Sequence, residues 1–122
     1  MAAIENHTRE QCTARGMAMR DAMDVLSGKW KIPIIGALRL NGKLRFMDLL
    51  REVDGIAAKM LSKELALLES NQIISRTVLN TKPITVEYEL TEHGKTLEGV
   101  ITEIWKWGDL HRKKVIGEKK AA

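Results

Sequence analysis

The decisive stretch of the sequence is residues 44–90, LRFMDLLREVDGIAAKMLSKELALLESNQIISRTVLNTKPITVEYEL. Its first half contains two groups of apolar residues separated by three or four positions, a spacing that places each group on one face of a helix. The groups are Phe46, Leu49, Leu50 and Val53, then Leu61, Leu65 and Leu68. Between them, Asp54-Gly55 predicts a stop, because glycine tolerates the left-handed backbone that ends helices. Two apolar-faced helices joined by about four residues indicate a helix-turn-helix.

The second of these helices is predicted at about residues 57–71. If its three leucines face the core, its opposite face carries small or basic residues. These are Ala58, Lys59, Ser62, Lys63 and Ala66. Such a face suits a helix that enters the major groove of DNA and lies near phosphate. The same residue types are also ordinary on a solvated helix, and Ala57 stands where a hydroxyl N-cap is expected.

After Asn71 the apolar residues recur every second position, which predicts a β-hairpin at about residues 73–90. Residues 80–83, NTKP, form the predicted turn, with Lys82 at its tip. A hairpin in this place is a wing, and Lys82 could lie along a phosphate backbone. The alternative is a structural hairpin that only covers the core. Residues 43–45 predict a short strand paired with the wing, where Lys43 and Arg45 could contact phosphate or remain solvated.

Helical patterns also flank this stretch, at residues 17–26, 29–40 and about 92–116. Ser27-Gly28 ends the first, Trp30 is a predicted core anchor in the second, and Thr91 is a good N-cap for the third. The apolar stripe of the last helix is longer than a small domain needs, so we expect it to continue into a dimer interface. The candidate interface residues are Met19, Met23, Val100, Ile101, Ile104 and Trp105. The predicted fold class is mainly α (α+β), a winged helix-turn-helix with extra dimerisation helices at both ends.

One domain is expected for 122 residues. We predict an N-terminal arm at residues 1–16, either mobile or an irregular helix, the winged-helix domain at 17–116 and a charged tail at 117–122. The net charge of +4 is compatible with a polyanionic partner. However, residues 43–95 hold eight basic and eight acidic residues, and much of the excess lies after Trp105. The position of each cation therefore matters more than the total.

Several classes of protein are disfavoured. The sequence has no apolar run of about 18 residues and no secretory signal, so we expect a cytoplasmic protein with no membrane association. Cys12 cannot form an internal disulfide, but Arg9 and Arg15 nearby could favour its thiolate, which makes it a candidate redox sensor. Nucleotide-binding motifs, metal-ligand spacing and catalytic constellations are absent, so we expect neither enzyme activity nor a cofactor or metal.

Five segments in this order resemble the HxlR-type winged-helix regulators of bacteria and archaea, which are relatives of the MarR group. They are Asp24–Trp30 (DVLSGKW), Arg45-Phe46 with Leu49, Gly55-Ile56, Leu61-Ser62 with Leu65 and Leu68-Glu69, and Val86–Thr91 (VEYELT) with Gly94. The resemblance covers residues 17–108 and implies a homodimeric DNA-binding transcription regulator. Four positions depart from the family pattern. Cys12 lies further upstream than the usual cysteine, Pro33 interrupts a usually continuous helix, Ala57 replaces a hydroxyl cap, and Glu64 stands where a basic residue is common.

The sequence thus favours a two-fold dimer that places its recognition helices in successive major grooves, about 34 Å apart. Lys59, Lys63 and Lys82 would attract phosphates, and Ser62 is the first candidate for a base edge. A small-molecule inducer or a thiol change would regulate binding by altering the separation of the two helices. The alternative is a winged-helix module for protein–protein interaction without sequence-specific DNA binding, which the neutral charge of residues 43–95 supports.

Overall fold

The computed structural model describes the backbone of residues 9–121 and the side chains of residues 12–117. In chain order its elements are α1 (Arg9–Leu26), α2 (Lys31–Asn41), β1 (Lys43–Arg45), α3 (Phe46–Glu52), α4 (Ala58–Ser70), β2 (Ile74–Leu79), β3 (Thr85–Leu90), α5 (Glu92–Lys95) and α6 (Leu97–Ala121). The strands form an antiparallel sheet in the order β1-β3-β2. This arrangement confirms the predicted mainly α, winged helix-turn-helix fold.

The core lies between α2, α3, α4 and one face of the sheet. Leu61, Leu65 and Leu68 of α4 are at most 2% exposed, which confirms the predicted buried face of this helix. Gly55 has a φ of +83° in the turn between α3 and α4, a left-handed backbone that favours glycine. Trp30 stands just before α2 and is half-buried against the same core. Local spacing therefore sets the roll of both helices in the helix-turn-helix.

The predicted hairpin is also confirmed. β2 pairs with β3 from Ile74↔Leu90 to Leu79↔Thr85, and β1 pairs with the other edge of β3 from Lys43↔Glu89 to Arg45↔Glu87. Because side chains alternate between the faces of a sheet, Tyr88 and Leu90 of β3 turn into the core while Glu89 between them is exposed. The turn of the wing extends beyond the core.

The ends of the flanking helices differ from the prediction. The first helix starts at Arg9 and not at Met17 as predicted. Residues 9–16 include good helix formers, but they lack the apolar stripe by which a sequence reveals a helix. Residues 1–8 of the predicted arm lie outside the described part. The last helix is interrupted at Thr96, whose N–H donates to the His93 carbonyl, three residues back, at 3.1 Å. Beyond the interruption α6 runs to Ala121, through most of the predicted tail.

The long flanking helices α1 and α6 contact the core through few side chains. Val25 and Leu26 pack against it from α1, and Leu97 and Ile101 do so from α6. The candidate interface residues other than Ile101 are exposed: Met19, Met23, Val100, Ile104 and Trp105. None of the helices in the described residues combines the length and apolar character that crossing a membrane would require.

Candidate DNA-binding surface

The outward face of α4 carries all five residues that the sequence assigns to it. Ala58, Lys59, Ser62, Lys63 and Ala66 are exposed. They occupy the side of α4 opposite its buried leucines, at spacings of one and four residues that keep them on neighbouring rows. Two small side chains among cations let this helix approach a partner closely and meet negative charge. This surface of α4 is called the recognition face below.

The start of α4 has no side-chain cap. Ala57 occupies the N-cap position with φ −81° and ψ 149°, an extended backbone, and has no side-chain oxygen with which to accept a hydrogen bond. The N–H groups of a first helical turn lack partners within the helix and, with the helix dipole, favour an anion. An acceptor supplied from outside, such as a phosphate oxygen, would therefore be favoured beside Lys59.

The turn of the wing presents Lys82 in an exposed segment. The Thr81 hydroxyl donates to the Pro83 carbonyl at 2.7 Å and lies 2.9 Å from the Thr85 hydroxyl, so the turn is braced on both sides of Lys82. Asn80 and Ile84, on the two sides of residues 81–83, are exposed as well. The wing thus carries one cation at its end, on a different element from the recognition face.

The two cations of β1 have a different electrostatic setting. Lys43 and Arg45 are exposed, but their cross-strand neighbours on β3 are Glu89 and Glu87. Directly opposed residues of an antiparallel pair share one face of the sheet, so a carboxylate stands beside each cation. This arrangement reduces the positive potential of β1 relative to that of α4. The sequence predicted the pairing of β1 with the wing but not these acidic neighbours.

A groove that the sequence did not suggest lies between the wing turn and the start of α3. It has a volume of ≈ 450 Å³, and its walls include Arg45, Arg51 and Ile84. The Arg51 guanidinium contacts Asp48 Oδ1 at 2.5 Å on the surface of α3. The groove adds Arg51 to the candidate phosphate contacts. The sequence could have indicated the contact between Asp48 and Arg51, because residues three positions apart on a helix are neighbours on its surface.

Glu64 does not lie on the recognition face. The sequence placed a carboxylate on this helix where the family commonly has a cation, but the Glu64 side chain is buried. Its Oε2 lies 2.9 Å from Nζ of Lys31, which is buried at the start of α2. The recognition face is therefore not acidified by Glu64.

The remaining candidate is Cys12. It is an exposed free cysteine on α1, remote in sequence from the recognition face. The flanking helices also carry an aromatic pair that the sequence did not suggest, since the Trp107 and His111 rings stack with centroids 4.8 Å apart. Both residues lie on α6 near Trp105, within the exposed apolar part of that helix.

Residues 25–115, most of the chain, match the HxlR-like helix-turn-helix family. YtcD of Bacillus subtilis, described as an uncharacterized HTH-type transcriptional regulator, is 38% identical over 102 residues, which are 84% of this chain and 80% of YtcD. Solved structures are similar as well. The reduced form of the transcriptional regulator YodB from B. subtilis is 37% identical, with a TM-score of 0.68 over 75% of this chain and 89% of YodB.

The redox regulator HypR in its reduced form is 34% identical, with a TM-score of 0.74 over 82% of this chain and 98% of HypR. Sequence and structure thus agree over most of both chains. The protein belongs to the HxlR-like helix-turn-helix family and is a transcriptional regulator of the helix-turn-helix type.

Proposed function

We propose that the protein binds double-stranded DNA as a homodimer, with α4 of each copy in a major groove and the wing on the backbone. The observation that carries this proposal is the recognition face of α4. Leu61, Leu65 and Leu68 of α4 are buried, and small and basic side chains occupy the opposite side of the helix. A helix with such a face fits the major groove, which admits one α-helix in width.

Each residue of the recognition face has a role in this proposal. Lys59 and Lys63 attract phosphates, which supplies affinity without sequence preference. Ser62 lies between the two lysines in the sequence. We assign it to a base edge, because its hydroxyl can both donate and accept a hydrogen bond. Ala58 and Ala66 leave room for the groove walls and contact thymine methyl groups. We propose no catalytic residue, cofactor or metal, since the function requires binding alone.

The wing and the edge of the sheet supply further phosphate contacts. Lys82 lies along the backbone beside the groove that α4 occupies. Lys43 and Arg45 contribute less, because Glu89 and Glu87 stand opposite them. Arg51 joins this group if phosphate displaces Asp48 from its guanidinium.

The dimer is proposed from the flanking helices. Met19 and Met23 on α1 and Val100, Ile104 and Trp105 on α6 remain exposed in a single copy. Contiguous apolar faces of this kind are typical of protein–protein interfaces. A two-fold interface uses the same surface on both copies and would set the two recognition helices about one helical turn of DNA apart. Ile101, half-buried between core and surface, continues the interface into the domain.

We further propose that the Cys12 thiol regulates binding. HypR is a redox regulator by name, and Cys12 of this chain is exposed on the helix that we assign to the dimer interface. A change in the thiol there would alter how the copies pack, and with it the separation of the recognition helices. A small-molecule inducer remains a second route to the same change.

The test is the affinity for a random-sequence duplex as the salt concentration rises from about 50 mM to about 200 mM. If the lysines neutralise six or more phosphates per dimer, the affinity falls by about 10³-fold or more. Lys63→Glu should weaken binding to every sequence and reduce the salt slope. The matched control is Lys113→Glu, which reverses an exposed cation on α6.

The alternative, a winged-helix module for protein–protein interaction, predicts neither result. No retention of the wild type on duplex DNA at low salt would exclude the proposed function in favour of that alternative. Equal losses in Lys63→Glu and Lys113→Glu would instead remove the recognition face from the interface and leave only general attraction between opposite charges.

A further inference from the structure

Two helices of the core carry the same pattern of buried residues. In α2 the pattern is Lys31, Ile34, Ile35 and Leu38; in α4 it is Leu61, Glu64, Leu65 and Leu68. Both follow positions i, i+3, i+4 and i+7, which form one stripe along a helix. In each stripe, one position that the pattern reserves for an apolar side chain is occupied by a charged residue.

The two charges meet inside the protein. Lys31 Nζ lies 2.9 Å from Glu64 Oε2, and the two side chains are 8% and 11% exposed. Lys31 Nζ also donates to the Ser27 carbonyl, at 3.3 Å, in the corner between α1 and α2. Within the described residues Glu64 Oε2 has no well-directed hydrogen bond, so charge attraction dominates its contact with Lys31. The pair thus connects α4 to the start of α2 and to the end of α1.

Stability alone is a poor reason for this arrangement. Removing two charges from water is costly, and apolar side chains of similar volume at both positions are often as stable or more stable. The best-attested use of a buried polar pair is to fix how one helix lies on another. Packing of leucines is largely non-directional, whereas two opposite charges are in contact in one register only.

We propose that the Lys31–Glu64 ion pair is a positioning contact that fixes the roll and slide of α4, and through them the base contact of Ser62. The second half of this proposal rests on the proposed DNA binding. Ser62 and Lys63 immediately precede Glu64, so their orientation follows directly from its position. A roll of about 30° would displace a side chain about 5 Å from the helix axis by roughly 3 Å. That displacement equals a hydrogen-bond length.

The test separates positioning from stability with the paired variant Lys31→Met and Glu64→Met. Methionine is unbranched and adapts to core spaces, so the variant should fold and keep its melting midpoint within about 5 °C. Affinity is measured for a duplex that the wild type enriches from a random pool, and for random duplex. The ratio of the two affinities should fall by about tenfold or more, whereas binding to random duplex is unchanged, because the long, flexible side chains of Lys59, Lys63 and Lys82 still reach phosphates.

The reversed pair, Lys31→Glu with Glu64→Lys, keeps opposite charges in contact. It should recover most of the affinity ratio that either single reversal loses, and it decides the question if the methionine pair does not fold. The matched control is Arg39→Met with Glu98→Met, which removes an ion pair of 2.7 Å that is exposed on both sides. This control should change neither the ratio nor the melting midpoint.

A wild-type ratio in a stable methionine pair would overturn the proposal, as would a reversed pair no better than the single reversals. Residual dipolar couplings of the α2 and α4 amides report the orientation of α4 relative to α2 without DNA, including its roll about its own axis. An unchanged roll of α4 in the methionine pair would also overturn the proposal. If the wild type enriches no sequence, the proposed DNA binding fails, and the roll of α4 alone decides whether the ion pair positions this helix.

Discussion

Apolar side chains at helical spacing occur in two regions of this protein, with opposite burial. In the winged-helix core, Leu61, Leu65 and Leu68 are at most 2% exposed, whereas on α1 and α6 Met19, Ile104 and Trp105 are 45–64% exposed. Both groups consist of large apolar side chains on helices. What differs is the partner, since the core stripe faces other elements of its own chain. The stripe on the flanking helices has no such partner among the described residues, which is why we propose it as half of an interface between copies.

The largest effect should come from the core. Leu65→Ala removes a buried side chain from the centre of α4 and should cost about 3 kcal/mol, because such truncations leave a cavity. The matched control is Leu67→Ala on the same helix, where 40% of the side chain is exposed and the cost should stay below about 1 kcal/mol. Urea unfolding at one protein concentration measures both. Equal costs would show that burial in the core is not what distinguishes the two leucines.

The next effect tests the flanking stripe. Ile104→Glu places a charge in the proposed interface and should raise the dissociation constant of the dimer about 100-fold or more, since an unpaired charge resists burial. Sedimentation velocity over a range of concentrations measures this constant. The control is Leu40→Glu, at a leucine near the end of α2 that is 79% exposed and is not among the proposed interface residues. A wild type that remains monomeric at every concentration would remove the proposed interface.

The helix-turn-helix was predictable from the sequence because each of its signals is local. The leucines of α4 lie within eight residues of one another, and Gly55 indicates the turn by its own backbone freedom. The hairpin was predictable for the same reason, since a period of two and the residues of the turn mark it. The exposed face of α4 then follows from geometry, because one buried stripe determines the opposite side.

What the sequence did not reveal depends on contacts between distant residues or on segments without an apolar pattern. Glu64 looked like a surface charge because its partner Lys31 lies 33 residues earlier. The acidic neighbours of Lys43 and Arg45 follow only from the register of β1 on β3. The described side chains at the start of α1, residues 12–16, are all exposed, so this part of the helix has no apolar periodicity in the sequence. The helix is interrupted at Thr96, where the N–H donates to the carbonyl three residues back. Helix propensities do not distinguish this hydrogen bond from that of a regular α-helix.

A smaller effect is expected where the winged-helix core joins the flanking helices, a junction that we call the seam. The Thr91 hydroxyl accepts from the Gly94 N–H at 2.9 Å and donates to the Gln72 carbonyl at 2.6 Å, which ties the end of the wing to the start of α5. Thr91→Ala should therefore cost about 1 kcal/mol, the usual value of an N-cap. Thr96→Ala is the control, because its hydroxyl only bonds back to the His93 carbonyl of its own helix. Thermal unfolding of both variants would show whether the cap stabilises this seam.

The smallest effect concerns Cys12, on the flanking side. In the reduced protein Cys12→Ser should change DNA affinity by no more than about twofold, because the side chain is exposed. Diamide oxidises two thiols to one disulfide, and that bond requires Cα atoms within about 7 Å. If α1 helices of two copies meet near Cys12, diamide should cross-link the wild type but not Cys12→Ser, and lower its DNA affinity by up to about tenfold. A wild type that diamide neither cross-links nor weakens would deny Cys12 a sensing role and would place any contact between α1 helices away from the first turns of α1.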